Sequence, residues 1–279
     1  MAYTAPHDWL QPDWPAPAQV HALCTTRRGG VSAPPWDSFN LGRLVGDAPA
    51  AVAANWAALQ AAVSTNGQPV RAVYLRQVHG TALATLDADT PDGGEADACT
   101  TERPGIACTV MAADCLPVLL TNRAGTRVAA AHAGWRGLAA GVLEVAVRSF
   151  RAQPAMTHAQ AAIENEAFGD PQELLAWLGP CIGPQAFEVG PEVRDAFCAQ
   201  DTEAAACFRP HGSAGKLLAD LPALARQRLR AAGVSALYGN DGSAAWCTVA
   251  NPSRFFSHRR DSPVFGTSGR MAACIWIGH

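Results

Sequence analysis

With 279 residues, 49% of them hydrophobic, the chain is long enough for one large domain or two small ones around a buried core. Charged residues are 16% of the chain and the net charge is −3, which argues against a nucleic-acid binder. The basic residues are 20 Arg and a single Lys, Lys216, so Schiff-base chemistry and a Walker-type phosphate loop have little support.

Residues 1–19 are Pro-rich and read as an irregular lead-in, with residues 20–279 as one domain, since no linker or repeat divides them. The opening MAYTAPHDWLQPDWPAP lacks a basic start and an apolar core, and no apolar run could span a bilayer. Nine scattered Cys then predict a reduced, cytoplasmic protein with free thiols, and Cys108, Cys247 and Cys274 fall in apolar runs as core residues.

Val20 to Thr25 reads as a strand. It runs into Arg27 and Arg28 beside Gly29-Gly30, which either offer guanidinium forks and backbone N–H groups to an anion or are solvated Arg at a turn. Asn40 is the notable polar residue of the loop SFNLG. Asp47 is placed to cap a helix over Pro49 to Val63, with Pro49 in its first turn. Arg71 to His79 alternates in the manner of a strand and ends at His79-Gly80. Further strands are expected from Asp97 to Thr100, Ile106 to Met111 and Val118 to Thr121, with a break at Asp114-Cys115-Leu116-Pro117.

Asn122-Arg123-Ala124-Gly125 is a turn that folds Val128 to Ala131 back onto the preceding strand. His132 to Gly137 reads as a loop and Leu138 to Ser149 as an amphipathic helix. Gly134 and Gly137 let the backbone pass close to something there. Residues 151–172 are weakly patterned and read as a surface excursion. Leu174 to Leu178 is a strand, followed by Gly-Pro turns where Cys181 could line a cleft, and Pro191 opens a helix to about Cys198. Lys216 to Ala232 reads as a helix ended by Gly233, and Val234 to Tyr238 as a strand. Ser257, His258, Arg259, Arg260 and Asp261 lie in a cationic loop that either binds an anionic group or is a salt-bridged surface. Met271 to Ile277 is a closing core strand.

The turn at 122–125 sets Cys115, at the head of one run, beside His132, at the end of the next. His79 is a third candidate. Two His and one Cys converging with an open position are the donor set of a catalytic zinc.

RQVHG, AADCLPVLL, HAGWRG, LGPCIGP, FEVGPEV, FFSHRRD and GRMA follow one another in an order that resembles the YfiH-like family. That family has been described as multicopper polyphenol oxidoreductase or laccase, as zinc-dependent purine nucleoside phosphorylase, and as a peptidoglycan editing factor. The likeness covers about Val20 to Ile277; His258 stands where the family's FSYRRD has an aromatic residue. It implies an α+β fold, mixed β-sheets packed together and flanked by helices, similar to the cytotoxic necrotizing factor catalytic domain.

The resemblance also implies zinc on His79, Cys115 and His132, and phosphorolysis of inosine, adenosine or methylthioadenosine, with adenosine deamination among related activities. Arg28 and Arg259 are then expected to hold phosphate, with Asn40, Trp135 and Arg136 as further substrate contacts. Asp114 would orient or accept a proton beside Cys115. The partners expected are a purine nucleoside and phosphate, with no nucleic acid and no membrane. Two alternatives stand beside this: an amidase editing peptidoglycan precursors, and a copper-dependent polyphenol oxidase. Eight His without one His-X-His pair leave no four-copper set.

Overall fold

The last apolar run needs a layer on each side. Met271–Ile277 is buried along its whole length, and a strand apolar on both faces must be covered on both. Ala273, Ile275 and Ile277 point into one core, whereas Ala272, Cys274 and Trp276 point into another. A computed structural model, describing residues 8–64, 69–151, 174–212 and 215–278, shows what covers each face.

The first half supplies strands β1 (Val20–Cys24), β2 (Arg71–Ala72), β3 (Leu75–Arg76), β4 (Leu83–Thr85), β5 (Gly94–Glu95), β6 (Ala98–Thr101), β7 (Ile106–Ala112), β8 (Leu116–Asn122) and β9 (Val128–Ala133). The second half adds β10 (Leu174–Leu178), β11 (Glu188–Val189), β12 (Phe208–Pro210), β13 (Leu217–Ala219), β14 (Ala236–Gly239) and β15 (Met271–Ile277). The helices are α1 (Pro49–Val63), α2 (Trp135–Ala140), α3 (Val142–Arg148), α4 (Pro191–Cys198), α5 (Leu221–Ala231) and α6 (His258–Phe265).

One mixed sheet runs β1-β15-β7-β2 and a second runs β14-β10-β8-β9-β6-β4. The two face each other across a core that includes Cys108, Val110, Leu119, Trp177 and Ile275. Behind the four-stranded sheet, α1 inserts Val52, Trp56, Leu59 and Val63 against Leu23, Cys274 and Trp276. Behind the six-stranded sheet, α3 and α5 cover Leu116, Val118, Leu120 and the alanines of β9 with Leu143, Val147, Leu224 and Leu229. The result is helix, sheet, sheet, helix. The small side chains of β9 leave room for the helices, and the double burial explains why β7, β8 and β15 read as unbroken apolar runs.

Several local expectations are corrected. Asp47 does not cap α1: its carboxylate accepts Ser32 Oγ at 2.6 Å and Asn40 Nδ2 at 2.9 Å, and the N-cap position falls on Ala48, without a side-chain cap. The run 71–79 is two short strands, because Tyr74 N–H turns away to Asp92 at 3.0 Å. Leu116 and Pro117 are in β8 and His132 is in β9, since the β8–β9 pairing extends to Leu116 opposite Ala133. The helix expected from Leu138 starts at Trp135 and breaks at Gly141, whose φ of 103° ends α2 and begins α3.

Residues 217–219 form β13 rather than helix. Asp220 caps α5 by accepting Ala223 N–H at 2.9 Å, and Pro222 sits in its first turn. The strand expected from Val234 begins at Ala236. The cationic loop is in part α6: Ser257 accepts Arg260 N–H at 3.2 Å at its start, and Gly266 adopts φ 73° at its end. The expected surface excursion lies, apart from Arg151, outside the described residues. In the lead-in, Trp9 is buried and Leu10 bridges to Cys24.

Candidate metal centre and cavity

One of the passages from the four-stranded sheet to the six-stranded sheet is a short corner. β7 belongs to the first sheet and β8 to the second, and Ala113-Asp114-Cys115 joins them. Asp114 turns the corner at φ 90°, a left-handed conformation uncommon outside glycine. Its carboxylate is held by Thr248 Oγ1 at 2.5 Å and by the Arg259 N–H at 2.6 Å. Cys115 therefore stands at the head of β8, and the hairpin register sets His132 opposite Pro117, the second residue after it. The turn at 122–125 closes as expected, with Gly125 N–H donating to Asn122 O at 3.0 Å.

Asp97 builds the rest of the centre. It is fully buried at the start of β6 and accepts the backbone N–H groups of Val78, His79 and Gly80 at 3.0, 2.9 and 2.8 Å. These three bonds hold His79 at φ 61°. The same carboxylate receives Nδ1 of His132 at 2.8 Å, leaving His132 Nε2 as the ring nitrogen free to ligate. One acid thus sets one ligand through its backbone and another through its ring.

His79, Cys115 and His132 come together, with their ligating atoms within 4.8 Å of one another. Cys115 Sγ lies 3.5 Å from His79 Nε2, and the two rings meet edge to face at 4.9 Å. Tetrahedral bonds of about 2.0–2.3 Å would separate such donors by roughly 3.5 Å. The group therefore fits a metal ion, and its two imidazoles and one thiolate leave a fourth position open. Burial opposes ionisation of Cys115, but the His132 charge and hydrogen bonds from His132 and His79 together lower its thiol to about 6. Burial likewise opposes the charge on His132, yet Cys115 and Asp97 raise it to about 9. The thiolate a metal requires is thus the form this corner favours.

Glycine at 134 is what admits His79. A Cβ there would meet His79 Cδ2 at 2.5 Å and Cys115 Sγ at 3.0 Å. At Gly137 the close approach is to the Gly80 carbonyl, 2.8 Å from a Cβ, so this glycine packs chain against chain.

The donors open onto a cavity of about 590 Å³. Among the described residues Asp114 is its only acidic lining residue, against Arg43, Arg76, Arg136, Arg259 and Arg270. Arg43 pairs with Asp92 at 3.6 Å, and Arg76 pairs with Glu95. Arg136 stacks on Trp135 at 4.4 Å, Arg259 lies over Phe187 at 5.7 Å, and Arg270 donates to the Ser268 and Gly269 carbonyls at 2.8 and 3.1 Å. None of these last three forms an ion pair among the described residues. Burial lowers the pKa of Arg270, while Cys115 and Asp114 oppose that shift. Tyr74, Met111, Trp135, Ile182, Phe187 and the exposed Leu44 give the cavity an apolar wall.

Of the residues singled out in the sequence, Trp135, Arg136, Arg259 and Asp114 line this cavity. Arg28 does not: it lines a separate depression with Arg27, Asp37 and Ser253, bonds Ser253 O at 2.7 Å and faces Asp8 at 3.8 Å. Asn40 is fully buried and touches only protein groups. Cys181 is buried rather than cleft-lining, its thiol raised well above the usual range by burial and bonded by Asn240 Nδ2 at 3.3 Å. Reading the sequence missed Asp97 and Arg270. Asp97 carries one signal, an acid entering an apolar strand; Arg270, just before another, carries the same kind.

The two facing sheets thus carry a His–Cys–His donor group at the corner between them. Residues 21–278 match the family described as multi-copper polyphenol oxidoreductase laccase, and the chain belongs to that family. The more particular likeness is to a purine nucleoside phosphorylase of Pseudomonas aeruginosa, 49% identical over 96% of this chain and 98% of that one. The Escherichia coli purine nucleoside phosphorylase YfiH is 48% identical over the same shares. Among solved structures, a Neisseria meningitidis protein superposes with a TM-score of 0.81 at 46% identity, covering 98% of this chain and all of the other. YlmD from Geobacillus stearothermophilus gives 0.79 at 28% identity, covering 99% and 98%.

Proposed function

We propose that this chain is a zinc-dependent purine nucleoside phosphorylase, in which phosphate attacks the sugar C1′ and displaces the base. The observation that carries the reading is the cavity itself: three guanidiniums that form no ion pair among the described residues face the same space as an open His–Cys–His donor group. Relatives at 48–49% identity are named for that reaction.

His79, Cys115 and His132 would hold the zinc. When bound, it supplies a fixed positive charge and a Lewis-acidic open position. Arg136, Arg259 and Arg270 attract the phosphate and hold it against the sugar, and guanidiniums suit an oxyanion because they donate in a planar fork. Trp135 and Phe187, each backed by an Arg, give the purine flat apolar surfaces. Both oxygens of Asp114 already accept hydrogen bonds, so it acts by fixing the corner and the start of α6 rather than as a strong base. Cys115 serves as a ligand.

The family description speaks of several coppers, but among the described residues one donor group of three is present. A four-copper set would need more. All nine cysteines are unpaired, which suits a reducing compartment such as the cytoplasm. No described helix is long and apolar enough to cross a membrane.

The test is metal analysis of the purified protein together with chromatography of inosine and adenosine incubated with and without phosphate. Release of base and ribose 1-phosphate only when phosphate is present, lost together with the metal in Cys115→Ala, is the expected result. Turnover that persists in Cys115→Ala without metal, or base release indifferent to phosphate, would exclude this reading. A blue absorbance on copper loading with oxidation of a polyphenol would favour the oxidase instead.

A further inference from the structure

Asn40 faces no substrate space, yet it grips a residue that does. Its side chain is completely buried. Oδ1 accepts the N–H of Gly42 and the N–H of Arg270, both at 2.9 Å. The neighbouring Leu41 N–H donates to the Arg270 carbonyl at 3.0 Å. Both backbone groups of Arg270 are thereby bonded to residues 40 and 41, some 230 positions away in sequence. On its other side Asn40 Nδ2 donates to Asp47 Oδ2 at 2.9 Å, which also accepts Ser32 Oγ at 2.6 Å. Asn55 of α1 donates to Ser32 Oγ and to the Ser38 and Asn40 carbonyls. This buried network starts in a helix and ends at the backbone of a cavity arginine.

Sterics add to the grip. A Cβ on Gly42 would meet Arg270 Cγ at 2.9 Å and Asn40 Oδ1 at 3.2 Å. The stem of Arg270 therefore runs directly past this glycine. Its Nη1 is used by two carbonyls, and neither Nε nor Nη2 is bonded to protein among the described residues. An arginine fixed at its backbone and stem loses less freedom when it binds an anion, and so binds it more tightly.

We propose that Asn40 is a positioning residue for anion binding: it fixes Arg270 so that the free edge of the guanidinium faces an oxyanion beside the metal group. The identity of that anion as inorganic phosphate rests on the phosphorylase reading. The metal ligands are held by a different residue, Asp97, so anion affinity and metal content separate in the test.

The zinc-loaded wild type, Asn40→Ala, Gly42→Ala, Asn40→Asp and the exchange Asn40→Asp with Asp47→Asn are titrated with inorganic phosphate by calorimetry. Each is also assayed for the KM of phosphate and of inosine. In Asn40→Ala and Gly42→Ala the phosphate Kd and KM rise about tenfold, close to 1.4 kcal/mol, while the inosine KM and the zinc content stay near wild type. Asn40→Asp sets two carboxylates together and loses phosphate affinity as well. Adding Asp47→Asn restores one donor between the two side chains and recovers most of that affinity. A purely structural residue would lower melting temperature and leave the phosphate KM of the folded protein unchanged. That outcome, or an exchange that rescues nothing, overturns the proposal. Wild-type phosphorolysis with unaltered phosphate binding in every variant overturns it and leaves the phosphorylase reading standing. A wild type that neither binds phosphate nor splits inosine removes both.

Discussion

Oδ1 of Asp97 lies 2.8 Å from Nδ1 of His132 and, at 2.9 Å, also accepts the backbone N–H of His79. One buried oxygen thus orients two candidate metal ligands that are 53 residues apart in sequence. The carboxylate's pKa is lowered: burial raises it most, but the hydrogen bonds from His132, Gly80 and Val78 outweigh that. Asp97→Asn removes the charge and supplies an amide where acceptors are needed. Metal affinity is expected to fall by about 10- to 100-fold, the usual effect of losing such a support. Competition with a chromophoric chelator measures it, and an unchanged affinity would show that the ligands hold themselves.

Gly134 makes a second, steric test of the same corner. Its backbone is extended, so alanine is not strained there; the obstacle is only the contact of a Cβ with His79 and Cys115. If the group holds a metal as proposed, Gly134→Ala should therefore lose most of it while the metal-free protein melts close to the metal-free wild type. Metal analysis and calorimetry of both stripped proteins check this. A variant with full metal content would mean that His79 swings aside freely.

Cys115 and His132 were legible in the sequence because a hairpin with a clear turn signal at 122–125 fixes their register, and local geometry of that kind survives folding. His79 was legible only as a strand end, and the strand itself turned out to be two fragments bridged by Asp92. The strands were readable where both faces are apolar, as in β15. Residues 217–219 were misread because their leucines continue the spacing of α5, and only the Asp220 cap separates strand from helix. Asn40 and Arg28 looked like substrate contacts as polar residues near glycines. Their partners, Arg270 and Ser253, lie more than 220 positions away, and no local pattern encodes such pairings.

Leu119 tests the sandwich rather than the site. It is fully buried between the sheets, in the core that also holds Trp177, Cys108 and Ile275. Leu119→Ala removes that packing and leaves a cavity that stiff strands on both sides cannot close. Urea titration should show a loss of about 2–5 kcal/mol, with any bound metal retained at low temperature. A loss under about 1 kcal/mol would mean that the two sheets slide together to refill the space.

His21 supplies a pH dependence that is separate from the metal. It lies in β1, stacked on Trp276 with ring centroids 5.6 Å apart, and burial lowers its pKa from the usual 6.5. In the unfolded chain the imidazole takes up its proton near 6.5, whereas in the folded chain it does so only at lower pH. The unfolded state therefore binds more protons in that interval, and stability rises with pH across it. The contribution of a neutral His21 is fully present above pH 6.5 and is lost as pH falls through the folded value. His21→Phe keeps a ring against Trp276 and takes up no proton. Melting temperatures of wild type and variant, measured from pH 8 to pH 5, should run parallel above pH 6.5 and diverge below it, with the wild type losing more. Parallel curves throughout would mean that the imidazole is charged as readily in the fold as in water.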